Sequence, residues 1–189
     1  MVSAQFIDNF DDGDFTDPLW EGSISNFKID DEGQLQLFHE GAEANNSSYL
    51  STNVATYGET TWELDFKTLF EPSGTNFGSI FLKADQSDLS SVQNGVYAKI
   101  GGESGSVDSY SLIHINGGVE TVILNSEEGL AAENPEGTLR IELNESNDWK
   151  MLLNGELLAE AEALLVNVPQ DVYDEVDFQA LGWKVYPDE

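Results

Sequence analysis

The sequence predicts an all-β protein of antiparallel strands with little helix, folded as a β-sandwich or a barrel. Three observations predict it. Short runs in which apolar and polar residues alternate recur along the chain, and a period of two marks a strand with one buried face. Turn-forming residues separate these runs. Two of the separators contain Asn-Gly, which tolerates the positive φ that a type I′ hairpin needs at both central residues. No linker-like stretch and no internal repeat interrupts the pattern, so the 189 residues (1–189) read as a single domain.

The elements follow in order. Strands are expected at 27–30, 34–38 and 48–51, the first two joined by a turn that ends at Gly33. Alternation is stronger at 61–67, where Trp62, Leu64 and Phe66 share a face. At 79–84 the inward set is Ile80, Leu82 and Ala84, and at 95–100 it is Val96, Ala98 and Ile100. The runs 110–115 and 119–124 flank Asn116-Gly117-Gly118, and 138–143 and 149–153 flank the turn at 144–148. Asn154-Gly155 then leads into 156–165, which is rich in strong helix formers. Its place directly after a hairpin turn favours a strand near 156–161 followed by irregular chain.

Composition supports a real core and narrows the partners. Hydrophobic residues make up 40%, with 10 Phe, 6 Tyr and 4 Trp, so disorder is disfavoured despite the charge. The absence of Cys removes disulfides, thiolate metal sites and cysteine nucleophiles. His39 and His114 are too few for a His-rich zinc site and read as structural. The 36 acidic residues against 7 basic leave a net charge of −29, which repels nucleic acid and anionic membranes. No apolar run approaches the ~20 residues of a membrane span. Such an acidic surface suits a salt-adapted, halotolerant protein, because salt screens its self-repulsion. Bound calcium is the sharper reading of the same excess. Residues 1–5 are not an intact signal peptide, and Ser3-Ala4-Gln5 fits either the scar of one or an ordinary N-terminal arm.

Several motifs carry a family likeness. Trp149, Met151, Asn154, Gly155 and Leu157 resemble the W-x-L-x-x-N-G-x-L pattern of laminin-G-like and concanavalin-like jelly rolls. Residues 6–16 with Trp20 and Gly22 are similar to the D-D-F-S-D-G-D-F-T…W-x-G opening of certain Bacteroidota secreted proteins. In those proteins a concanavalin-like module precedes lamin-tail or sorting domains. The segments 34–37, 48–52, 85–90 and 94–102 resemble that module in the same order, while the end of the chain answers to it only through 176–183. The resemblance implies a two-sheet concanavalin A-like sandwich in a secreted or cell-surface setting, a monomeric module of a larger protein.

Candidate sites come next. Concanavalin-like β-glucanases carry an E-x-D-x-x-E set on one strand face, and Glu63 and Asp65 answer to its first two members. Retaining glycosidases need a second catalytic carboxylate ~5–5.5 Å from the first, but Thr68 or Leu69 stands where the family's acid would fall. Catalysis is therefore disfavoured. If the apolar sets above face inward, Glu63, Asp65, Lys67, Phe81, Lys83, Tyr97 and Lys99 share an outward face. Aromatic faces cover sugar C–H surface while charged groups bond hydroxyls, so this face is expected to bind a glycan or cell-surface polysaccharide. Its plain counterpart is cross-strand ion pairing on a solvated sheet. The alternatives in function are an adhesion or spacer domain and a divergent glycoside hydrolase. Gly101-Gly102 and the residues after it lack the spacing of a phosphate loop.

Asp8, Asp11, Asp12, Asp14 and Asp17 form the densest acidic cluster. It is not an EF-hand, because Phe10 and Leu19 occupy ligand positions. Jelly rolls bring their first and last strands together, so Asp8, Asp11, Asp14 and Asp177 are the expected calcium ligands.

Overall fold

The computed structural model describes residues 6–38, 47–54 and 59–162. His39, Asp177 and the 176–183 segment lie outside them. The described chain is all-β. Its strands are β1 (Glu21–Gly22), β2 (Phe27–Ile29), β3 (Leu35–Leu37), β4 (Leu50–Ser51), β5 (Thr60–Lys67) and β6 (Gly78–Ala84). There follow β7 (Gly95–Ile100), β8 (Tyr110–Asn116), β9 (Val119–Asn125), β10 (Glu136–Leu143), β11 (Trp149–Leu153) and β12 (Glu156–Ala161). One 3₁₀ turn at Ile24–Asn26 is the only helical element among the described residues.

Two four-stranded antiparallel sheets make the sandwich, in the orders β12-β11-β10-β5 and β6-β7-β8-β9. The alternation expected from sequence places Phe66, Ile80, Val96, Ile100, Leu139 and Ile141 in one core between them. Trp62 and Trp149 stack at 5.9 Å across the inner face of the first sheet. Two small sheets, β1-β4 and β2-β3, belong to the N-terminal part, which has its own cluster around Trp20, Phe27 and Leu50. No described helix is long and apolar enough to cross a membrane.

Local turn chemistry sets the hairpins. Asn116 pairs with Val119 across Gly117 and Gly118, whose φ values are 58° and 77°. Leu153 pairs with Glu156 across Asn154 and Gly155, at 53° and 81°. Both fit the type I′ requirement. The second hairpin also resolves the ambiguous 156–161 segment. Once the turn aims it back along β11, pairing from Leu153↔Glu156 to Trp149↔Ala161 satisfies its backbone, and its Leu158, Ala159 and Ala161 pack on the core. Tertiary pairing thus overrides helix propensity worth only a few tenths of a kcal/mol per residue, on the order of the propensity scale.

The loop after β7 is held against the chain before β6. Gly101 has φ 77°, and a Cβ there would collide with Pro72 Cβ and approach Asp108 Oδ1 to 3.2 Å. Gly101→Ala combines a left-handed backbone with overpacking, and we expect it to cost on the order of 2–4 kcal/mol. A lowered urea midpoint at constant m-value would show it, and an unchanged midpoint would contradict the close approach.

Candidate functional site

Glu63, Asp65 and Lys67 do share the outer face of β5, and each meets a partner from β10. Lys67 Nζ lies 2.8 Å from Glu136, and Arg140 bridges Glu63 at 3.5 Å and Glu142 at 2.8 Å. The Glu136 carboxylate holds the Lys67 ammonium above its usual range. Thr138 Oγ1 donates to Asp65 at 2.5 Å. Lys150 and Glu160 continue the pattern toward β12 at 3.8 Å. These groups are exposed, so the pairs add little stability in water, but they engage the face with itself. Thr68, where a third catalytic carboxylate would stand, is buried and donates to the carbonyls of Phe70 and Pro135.

The other four expected residues lie elsewhere. β6 and β7 belong to the second sheet, and β5 and β6 are edge strands of different sheets, so the seven side chains do not form one face. A β-bulge lies between Phe81 and Lys83, which sets Lys83 opposite Val96. A bulge shifts the side-chain alternation by one. Leu82 stays in the core, Ala84 turns to the outer cluster, and Lys83 Nζ lies 5.9 Å over the ring of Trp62 at the margin between the sheets. Burial there pushes the Lys83 ammonium below its ordinary pKa.

Phe81 and Tyr97 do point outward, but that side of the sheet is covered. Each is only 5% exposed. They stack at 4.9 Å and pack with Leu89, Val92, Ile113, Ile115 and the Tyr49 ring. Tyr49, from the N-terminal part, is bonded to Asp88 in the loop between β6 and β7, and burial followed by the Asp88 charge raises its phenol pKa. Tyr97 Oη donates to Glu120 at 2.9 Å. These two aromatics are a second core, not a sugar platform.

One row of the outer face remains polar. Ser79, Lys99, Ser111 and Asn125 are cross-strand neighbours on β6, β7, β8 and β9. Half-buried Lys99 lies with Nζ 4.4 Å over the Phe77 ring and donates to Gly102 O at 3.4 Å. Ser111 and Ser109 both donate to Asn125 Oδ1, at 2.6 and 3.0 Å. The Glu103 carboxylate accepts from Ser109 N and Oγ, each at 3.2 Å. Lys99, Phe77, Glu103 and Asn125 thus reach the surface at one end of the sheet, over the buried hydroxyls of Ser79, Ser109 and Ser111. Sequence reasoning found Lys99 but missed Phe77, Ser79, Glu103, Ser111 and Asn125. Period two could have placed Ser79 and Ser111, whereas Asn125 depends on the bulge at Leu112/Ile113 that resets the β8-β9 register.

The acidic N-terminal segment uses its carboxylates locally. Asp8 accepts from Trp20 Nε1 at 2.6 Å and Phe10 N at 2.8 Å, and Asp11 accepts from Asn9 Nδ2 at 2.6 Å. Asp14 accepts from Thr16 N and Oγ1, which hold its carboxyl below the usual range. Among the described residues no three acidic or histidine side chains are gathered to hold a metal ion. Asp8, Asp11 and Asp14 are thus turned toward their own neighbouring donors, and Asp177, the fourth expected ligand, lies outside the described residues.

Comparison with solved structures defines the class of fold as a lectin-like jelly roll. The carbohydrate-binding module CBM66 from Bacillus subtilis matches with TM-score 0.58 and 17% identity, covering 88% of this chain and 87% of that one. The Emp46p carbohydrate recognition domain in its potassium-bound form matches with TM-score 0.64 and 14% identity, over 95% of this chain and 87% of that one. A legume lectin-like domain from Entamoeba histolytica gives TM-score 0.52 at 11% identity, over 88% and 81%. These likenesses bear out the concanavalin-like sandwich expected from sequence. No protein-family model and no curated protein sequence matches the chain.

Two expectations follow. Tyr97→Ala removes a buried ring and should cost about 3–5 kcal/mol, read as a fall in the urea midpoint. A cost below 1 kcal/mol would mean that the outer cluster is open. His114 is 8% exposed, and burial lowers its pKa from 6.5. As pH falls through 6.5 the unfolded chain takes a proton that the native imidazole resists, so stability should decline until the native pKa is passed. His114→Gln should flatten that part of the stability–pH curve, and an unchanged slope would contradict it.

Proposed function

We propose that the chain is a non-catalytic carbohydrate-recognition module of a secreted or cell-surface protein, binding glycan at the Lys99 row. The observation that carries the reading is Lys99 itself. In a chain of net charge −29, it forms no ion pair among the described residues and is held over Phe77, in the same cross-strand row as Asn125. Ammonium and amide donors with a carboxylate acceptor suit sugar hydroxyls, and the ring suits sugar C–H surface. The titles of two similar structures, a carbohydrate-binding module and a carbohydrate recognition domain, support the same class of ligand. The acidic field favours a neutral glycan or one bridged by cations over an acidic polysaccharide. The ion-paired β5–β10 face and the structural use of Thr68 support a role without hydrolysis.

A glycan array read at marine salt tests this. Binding to a neutral glycan is expected, weakened at least ~10-fold in Lys99→Ala with Asn125→Ala, which corresponds to about 1.4 kcal/mol or more. Lys67→Ala on the other sheet should bind as the parent does. Silence across the array, or binding unchanged in the double variant with its melting temperature intact, would refute the assignment. Reducing-sugar release would point to hydrolysis instead.

A further inference from the structure

The interior of the sandwich ends in polar side chains at the rim that carries Phe77 and Glu103. Gly78, Ile100 and Tyr110 form one cross-strand row, and Ile100 and Tyr110 face the core. The ladder runs on past this row, with Gly101 N donating to Ser109 O at 2.9 Å. Asn76 and Asp108 stand two residues before Gly78 and Tyr110, so period two directs both toward the inner side, one step beyond the last apolar layer. Between them the chain runs Gly101-Gly102, closely packed by the side chains of Pro72 and Lys99. Asp108 Oδ1 lies 3.2 Å from where a Cβ on Gly101 would stand, and Pro72 touches the same point. Asn76 closes the turn from Ser73 through two backbone hydrogen bonds, at 2.8 and 3.1 Å, which keeps it beside Pro72.

Both side chains are sealed from solvent, Asn76 at 1% and Asp108 at 0% exposure. Asp108 Oδ1 accepts from Glu103 N at 2.9 Å, but Oδ2 has no hydrogen-bond partner. Neither Oδ1 nor Nδ2 of Asn76 has one either. A buried carboxylate oxygen without a donor or counter-charge is among the costliest groups a fold can carry. Each of the two orphaned side chains therefore calls for a partner.

We propose that Asp108 Oδ2 and Asn76 Oδ1 are ligands of a partly hydrated monovalent cation, sodium or potassium, that ties the chain before β6 to the loop between β7 and β8. Carboxylate and amide oxygens select a hard cation over zinc or copper. Charge decides its valence. Among the described residues no cluster of three acidic or histidine side chains surrounds this place. A monovalent ion neutralises the single buried carboxylate, whereas a divalent ion leaves surplus charge in the interior. The negative field of the whole chain raises the local concentration of either alkali ion. The proposal does not rest on glycan binding.

Melting temperatures of the full chain in sodium, potassium and choline chloride at one ionic strength test it. Sodium or potassium should raise the melting temperature above the choline value by on the order of 5 °C. Asp108→Asn, which keeps the shape and removes the charge, should erase that difference. Should this variant fail to fold, crystals of the parent chain grown in a rubidium salt give a second readout. An anomalous peak between Asn76 and Asp108 supports the site. Equal melting in all three salts, a rise with calcium alone, or a water at that position without anomalous signal would overturn it.

Discussion

The β6–β9 sheet buries apolar side chains on both of its faces, and the arrangement of the rest depends on that. Its inner face closes against β10 and β11 through residues such as Ile100, Leu112, Ile141 and Met151. Its outer face carries Phe81, Tyr97, Ile113 and Ile115, which would form an exposed apolar patch if left bare. Tyr49, Leu89 and Val92 cover it. The β6–β7 loop thus supplies much of the cover, and the N-terminal part adds Tyr49 to it. Beyond that cluster the face carries the polar row at Lys99, in which Lys99 is half-buried and Asn125 exposed while Ser79 and Ser111 are buried.

Among the described residues the scarce cations are divided between two kinds of partner. Lys67, Arg140 and Lys150 lie on the first sheet and pair with carboxylates from neighbouring strands. Lys28, Lys83 and Lys99 lie over the rings of Phe38, Trp62 and Phe77. The division has a physical basis. An exposed sheet of alternating charge satisfies itself across strands, whereas a cation at the edge of an aromatic core interacts with the ring quadrupole while burying its aliphatic stem. The first sheet thus presents a surface already engaged with itself. The second holds Lys99 half-buried over Phe77 and bonded to Gly102 O.

The same separation explains why the expected seven-residue face dissolved. Alternation correctly sorted Trp62, Leu64 and Phe66 from Glu63, Asp65 and Lys67, and Val96, Ala98 and Ile100 from Tyr97 and Lys99. It could not say that β5 and β6, adjacent in sequence, part to opposite sheets. Nor could it say that an outward ring is covered by a residue nearly fifty positions away in sequence, as Tyr97 is by Tyr49. The acidic N-terminal segment shows the same limit from the other side. Its aspartates are dense in sequence, yet short-range donors such as Thr16 and Trp20 turn them to separate tasks.

By itself the sequence determined the all-β class, most strand positions, the two Asn/Gly hairpins and the strand after Asn154-Gly155, because side-chain period and turn conformation are local properties of the backbone. Tertiary structure alone decided sheet membership, the bulges at Leu82 and Leu112/Ile113, and hence which way Lys83, Ala84 and Asn125 face. A one-residue shift in register reverses every later side chain, and the energy that selects the shift comes from strands far away in sequence. The burial of Asn76 and Asp108 at the end of the core is of that second kind. Neither residue stands out in the chain, and only the ladder that aligns β6, β7 and β8 brings their segments to one end of the sheet, where both are buried.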